Sequence, residues 1–177
     1  MENNVLTCQL CFNKITSSKH RENCNICNMF EVKESIITDD FTPMMTYGLG
    51  GCTALLMVFF TKDTNEAYKV VFGHNPFKEK ILEWFERYYI SDYNIVTIIK
   101  TPVEYQKKED KCIGVPKNQE YWITTITKDN CKLILESYSL MRCFFDTTYF
   151  NSSLYFKINH GPKYSDSFGR FIDISYI

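Results

Sequence analysis

At 177 residues and 20.9 kDa, with 45% hydrophobic and 16% aromatic side chains, the chain can bury one substantial core, which excludes disorder for most of its length. Twenty Lys+Arg against 21 Asp+Glu leave a net charge of -1, so no global positive field exists to gather nucleic acid or anionic lipid. The longest apolar run, Ala54 to Phe60, is far too short to span a bilayer, and the first residues lack a basic segment followed by an apolar one. The expectation is an intracellular, cytoplasmic protein with no membrane partner. Its Lys, Asn, Ile and Tyr content, with only 7 Gly, fits an AT-rich genome such as that of a giant virus (placing it in the host cytoplasm) or a eukaryotic microbe.

The eight cysteines divide into two populations. Cys8-Gln9-Leu10-Cys11 and, twelve residues on, Cys24-Asn25-Ile26-Cys27 have the spacing of two knuckles that present four thiolates to one zinc ion. Residues 1–30 hold too few apolar side chains to fold unaided, so a structural Zn2+ would serve as their core. Cys8, Cys11, Cys24 and Cys27 form the preferred ligand set; His20 is an alternative ligand, because Cys8, Cys11, His20 and Cys24 also space plausibly and leave Cys27 over. Lys14, Lys19 and Arg21 are few for a nucleic-acid site.

Residues 31–42 are polar and acidic and read as a connection to a main domain over 43–177. Cys52 to Phe60 and Ala67 to Phe72 are β-favouring runs on either side of a turn-rich segment and predict a hairpin. Asn75-Pro76 then supplies an N-cap and a proline at the first helical position, and Phe77, Ile81, Trp84, Phe85 and Tyr88 recur at helical spacing. A strand is expected over 94–100, a solvated loop over 101–118, a hairpin of 121–127 with 131–139, and strands over 153–158 and 170–176. The fold class is α+β: a strand-rich, layered, mixed sheet with one or two helices and a small N-terminal zinc-binding module.

Thr46-Tyr47-Gly48-Leu49-Gly50-Gly51-Cys52 puts three glycines directly before a cysteine that opens a buried strand. Such a bend can present a thiol together with backbone N–H groups, at Gly50, Gly51 and Cys52, that would hold an oxyanion. A thiol needs a base, and His74 ends the next expected strand; in a hairpin the start of one strand faces the end of the other, which sets Cys52 beside His74. His160, in an Asn-His-Gly-Pro turn, is a rival base, while Cys112, Cys131 and Cys143 read as packing thiols.

The run Thr46-x-Gly48-Leu49-Gly50-Gly51-Cys52 followed by Val71-Phe72-Gly73-His74 resembles the active-site pattern of the CheD-type chemoreceptor glutamine deamidases, relatives of deamidating bacterial toxins. The resemblance covers roughly residues 42–100 and implies a CheD-like fold with Cys52 as nucleophile, His74 as base and acid, and Thr46 as the residue that orients the histidine. It implies a cysteine amidohydrolase that deamidates a protein partner at an exposed glutamine through a thioester. Gly51 stands where the family carries serine, and Asn75-Pro76 where it carries apolar residues. The alternative from another class is a non-catalytic, zinc-containing protein-interaction module.

Overall fold

The computed structural model describes residues 7–14, 17–139 and 152–177, and these form an α+β arrangement of two sheets and three helices. In chain order the elements are α1 (Ser18–Asn23), β1 (Asn25–Ile26), β2 (Val32–Ile36), β3 (Met44–Thr46), β4 (Thr53–Thr61) and β5 (Ala67–Asn75). Then follow α2 (Lys78–Tyr88), β6 (Tyr93–Lys108), β7 (Lys111–Pro116), α3 (Gln119–Thr125), β8 (Cys131–Tyr138), β9 (Leu154–Ile158), β10 (Pro162–Ser165) and β11 (Phe171–Asp173). A six-stranded sheet runs β2-β5-β4-β6-β7, with β8 also paired to β6, and a five-stranded sheet runs β1-β3-β9-β10-β11. The β6–β8 and β1–β3 ladders are parallel and the others antiparallel, so both sheets are mixed.

Strand alternation generates the layers. Central strand β4 is buried on both faces, which is why 54–60 reads as a continuous apolar run and not as an alternating one. Its Ala54, Leu56, Val58 and Phe60 pack between the sheets with Val70, Phe72, Val96, Ile98, Leu154 and Phe156. Its Leu55, Met57 and Phe59 turn the other way, onto Ile81, Trp84 and Phe85 of α2 and Trp122 of α3. Each buried Val, Leu, Ile, Phe or Met side chain among these contributes about 1.5–3 kcal/mol. Gly73 is required by this packing, since a Cβ there would lie 2.8 Å from the Trp84 ring. On the outer face of the five-stranded sheet, Cys8 and Cys24 pack with Met45 and Tyr155. The order is therefore helices, six-stranded sheet, five-stranded sheet, cysteine-rich N-terminus.

Three expectations need correction. The segment 101–118 is not a loop: β6 continues to Lys108 and pairs with β7 across Glu109 and Asp110, whose φ values of 51° and 65° are those of a two-residue hairpin turn. Its charges are exposed because this ribbon projects into solvent, where the ladder hydrogen bonds and not a buried face hold it. Residues 121–127 are not a strand: α3 occupies Gln119–Thr125, buries Trp122, and turns the Thr124 and Thr125 hydroxyls back onto main-chain carbonyls. Consequently β8 pairs not with that segment but in parallel with β6. Finally, α2 begins at Lys78 after an Asn75 side chain that accepts the Phe77 N–H at 2.9 Å, so the asparagine makes the entering turn and does not cap the helix itself. Within 31–42, Val32–Ile36 forms β2 and pairs with β5. Among the described residues no helix is long and apolar enough to cross a membrane.

Candidate active site and metal cluster

Strand β3 alternates across the five-stranded sheet: Met44 and Thr46 face the inter-sheet core, whereas Met45 and Tyr47 face the N-terminal cluster. Thr46 is thereby aimed at the end of β5, where its Oγ1 lies 2.7 Å from His74 Nδ1. The same hydroxyl donates to the Cys27 carbonyl at 2.7 Å. A threonine hydroxyl has one proton, so with that proton on the carbonyl its oxygen accepts from His74, which fixes the Nδ1–H tautomer. Nε2 is left as the bare nitrogen, buried and with no hydrogen-bond partner among the described residues. His74 is 3% exposed, and burial holds its imidazole down at about 4, so at neutral pH it is an uncharged base.

Cys52 lies just before β4. Ala54 pairs with His74, and Cys52, two residues earlier and ahead of the strand, packs into the same inter-sheet core as Ala54. The pairing inferred from sequence thus puts both on one face, but the thiol does not bond the imidazole: Cys52 Sγ is turned to Met29 Sδ at 3.7 Å. Burial, leaving the residue 8% exposed, pushes this thiol up. The resting pair is a neutral thiol and a neutral imidazole.

The glycine bend has Gly48, Gly50 and Gly51 at φ of 63°, 44° and 111°, conformations that side chains with a Cβ adopt at a cost. Its expected oxyanion donors are otherwise engaged. The Gly51 N–H donates to the Tyr138 phenol oxygen at 2.8 Å, and the Cys52 N–H to the Leu49 carbonyl at 2.6 Å. The Tyr138 hydroxyl in turn donates to the Cys52 carbonyl at 2.6 Å, so one phenol clasps both ends of the Gly51-Cys52 step. The Gly50 N–H makes no hydrogen bond among the described residues.

The N-terminal ligand set differs from the preferred one. Cys8, Cys11, His20 and Cys24 bring their ligand atoms within 4.8 Å of one another. Cys8 Sγ is 3.7 Å from Cys24 Sγ, and Cys11 Sγ is 3.4 Å from His20 Nδ1. Tetrahedral zinc with bonds of about 2.3 Å to sulfur and 2.0–2.1 Å to nitrogen needs edges of roughly 3.8 and 3.6 Å, so the residues fit such an ion. Cys8 and Cys11 flank a tight turn in which the Leu10 N–H meets Cys8 Sγ at 3.3 Å. His20 and Cys24 lie one helical turn apart across α1, whose N-terminus Ser17 caps by accepting the His20 N–H. Sharing of one proton between the Cys8 and Cys24 sulfurs pulls the Cys8 thiol down to about 5 and pushes that of Cys24 up.

Cys27 is not in this set, because Cys24 to Cys27 is extended and not a knuckle. Three steps along a strand reverse the side-chain direction. Its thiol goes into the inter-sheet core, 3.3 Å from the Glu31 carbonyl and 3.6 Å from that of Phe72, and burial pushes it up to about 12. His160 is exposed on the turn between β9 and β10, with φ of 55°. Cys112 is exposed and Cys131 lies half-buried against the Thr97 hydroxyl, whereas Cys143 falls outside the described residues. Met29 and Tyr138 escaped the sequence reading, since both reach the site through tertiary contacts with no local signal; only the position of Tyr138 at the end of an expected strand hinted at a place in the sheet.

Comparison with known protein families, characterised proteins and solved structures finds no match to this chain.

Proposed function

We propose that this chain is a CheD-like cysteine amidohydrolase that deamidates glutamine side chains of a partner protein, with a structural zinc ion held by Cys8, Cys11, His20 and Cys24. The observation that carries the reading is the relay from His74 Nδ1 through the Thr46 hydroxyl to the Cys27 carbonyl, which leaves a lone pair on a buried Nε2 beside the cysteine's face of the sheet. With Nδ1 engaged by the hydroxyl, Nε2 is the ring atom available to take a proton from a thiol.

In this mechanism substrate entry displaces Met29, and the Cys52 thiol passes its proton to His74 Nε2 as sulfur attacks the carboxamide carbon. The C–S bond forms as the carbonyl π pair moves to oxygen, where the Gly50 N–H is the donor with no competing bond. Collapse of the tetrahedral adduct breaks the C–N bond, and His74 Nε2–H protonates the departing ammonia. Water, deprotonated by the regenerated base, then cleaves the thioester to glutamate and the free thiol. Because Cys52 is a thiol at rest, its reactivity depends on what substrate binding does to Met29 and to solvent at the site. A metal ion held by those four residues would supply folding energy to the N-terminus.

The Met29 contact and the engaged Gly51 and Cys52 N–H groups favour a second reading, an interaction module in which Cys52 is a packing thiol. Incubating wild type and Cys52→Ala with cell extract, and searching by mass spectrometry for glutamines converted to glutamate by the wild type alone, decides between them. Conversion equal in both, or none at any glutamine, returns the molecule to the second class.

A further inference from the structure

Around the start of β4 lies a cavity of 250 Å³, lined by Gly51 and Thr53, by Lys78 and Glu79 where α2 begins, and by Lys117 and Asn118 ahead of α3. It is smaller than the roughly 300–1,000 Å³ of sites for whole small molecules and suits a single side chain. Strand alternation turns Thr53, with Leu55, toward α2; the residue is 6% exposed, yet its hydroxyl makes no hydrogen bond among the described residues. The helix supplies further donors. Phe77 at the N-cap offers no side-chain acceptor, and the Lys78 and Glu79 N–H groups have no protein partner among the described residues. Lys78 Nζ lies 4.7 Å from the centre of the Tyr121 ring, a contact that holds the ammonium without neutralising it. Lys117 is exposed and makes no ion pair among the described residues, and Glu79 is the one carboxylate of the lining.

We propose that this cavity is a subsite for a carboxylate side chain of the partner protein, one residue away from the glutamine presented to Cys52; the assignment rests on the deamidase reading above. Two ammonium groups against one carboxylate, together with the positive end of an 11-residue helix, fit a group of one negative charge better than a dianion. The Thr53 hydroxyl and the two open N–H groups supply the donors that its oxygens need. Gly51 and Thr53 flank Cys52 in the chain, so the cavity lies next to the candidate nucleophile. Adjacent side chains of an extended segment point to opposite sides, as Cys52 and Thr53 do, so a segment laid across this end of β4 delivers one side chain to the sulfur and the next to the cavity.

The test is an NMR titration of the full-length Cys52→Ala protein, at constant ionic strength, with three blocked tetrapeptides: Gly-Glu-Gln-Gly, Gly-Gln-Glu-Gly and the neutral Gly-Gln-Gln-Gly. At least one acidic peptide is expected to bind about tenfold or more tighter than the neutral one, with saturable shifts at residues 51, 53, 77–79, 117 and 118. Which of the two does so fixes the side of the glutamine on which the acid stands. Lys117→Gln and Thr53→Val should each cut the preference to about threefold or less; should the threonine variant fail to fold, the lysine variant, at an exposed position, decides. Equal binding of all three peptides, shifts elsewhere in the molecule, or a preference that survives both substitutions overturns the proposal. Ammonia release by the wild type from the same peptides separates the subsite from the reading it rests on. Acid preference without release upholds the cavity and counts against deamidation, whereas equal release from all three overturns the cavity and upholds deamidation.

Discussion

Replacing Thr46 by valine keeps the shape of the side chain and removes the hydroxyl on which the relay depends. Two buried hydrogen bonds go at once, the 2.7 Å bond to the Cys27 carbonyl and the 2.7 Å bond from His74 Nδ1. Thr46 is fully buried and His74 is 3% exposed, so water cannot readily replace either bond. A stranded buried donor or acceptor costs about 1–3 kcal/mol, and two of them predict a loss of roughly 2–6 kcal/mol. Thr46→Ser, which keeps the hydroxyl and deletes one methyl, is expected to cost only about 1 kcal/mol. Urea unfolding of the three proteins measures the difference, with unchanged slopes indicating that the midpoint shift reports stability. A second readout tests the tautomer: in the wild type the His74 ring should show a protonated Nδ1 and a bare Nε2 by nitrogen NMR, and Thr46→Val should mix the two forms. If valine proves no more harmful than serine and the tautomer is unmoved, the relay does not exist and the central argument for a base at position 74 goes with it.

The depressed His74 value makes stability depend on pH. The folded state titrates at about 4 against an ordinary 6.5, so the unfolded chain binds the extra proton between those values; this contribution is full above pH 6.5 and is lost as pH falls toward 4, by about 3 kcal/mol in all. Denaturation of wild type and His74→Gln across that window should show the steeper acid loss in the wild type, and parallel curves would refute it. Metal analysis separates the two ligand sets: His20→Ala should lose the bound equivalent while Cys27→Ser keeps it, and the reverse pattern would restore the four-cysteine site. With iodoacetamide at neutral pH, exposed Cys112 should react well before Cys52, and Met29→Ala should speed Cys52 several-fold by uncovering its sulfur. An unchanged Cys52 rate would show that Met29 is not its cover.

Much of the fold could be read from the chain wherever pattern and environment coincide. The β4–β5 hairpin was legible because Ala54 to Phe60 is a strand buried on both faces and the segment after it is rich in turn residues. Helix α2 was legible because Ile81, Trp84 and Phe85 recur on one face. The β6–β7 ribbon was not, since a hairpin standing in solvent has polar residues on both faces and reads as loop. Trp122 illustrates the opposite failure: an aromatic and β-branched segment with strand propensity is helical because its tryptophan fills the layer beneath α2. At the candidate site, the cysteine and histidine were findable from the expected hairpin, and the threonine only from the resemblance. Tyr138 and Met29 were not, because nothing local marks a side chain that arrives from 86 or 23 residues away.

The misassigned cysteine shows how the N-terminus and the site are joined. Cys24 ends α1 with its thiol among the ligand set, and two residues of β1, paired to β3, follow before Cys27. The Cys27 N–H donates to the Met45 carbonyl and its own carbonyl receives Thr46, so this residue ties β1 to the strand that orients His74. The chain then turns through Met29, which meets the Cys52 sulfur, and Phe30, whose N–H donates to the His74 carbonyl at 2.7 Å. Eight residues thus run from Cys24 in the candidate ligand cluster to Glu31, whose carbonyl accepts the His74 N–H at 3.1 Å. A two-residue edge strand is marginal alone, and its anchors are the ligand cluster at one end and the Cys27 bonds at the other. Opening of the cluster would free the first anchor and allow fraying toward Cys27, so the acceptor that fixes the Thr46 hydroxyl is only as well placed as the cluster is closed. On this argument the N-terminal cluster belongs to the architecture of the site, although none of its ligands touches the groups that would react.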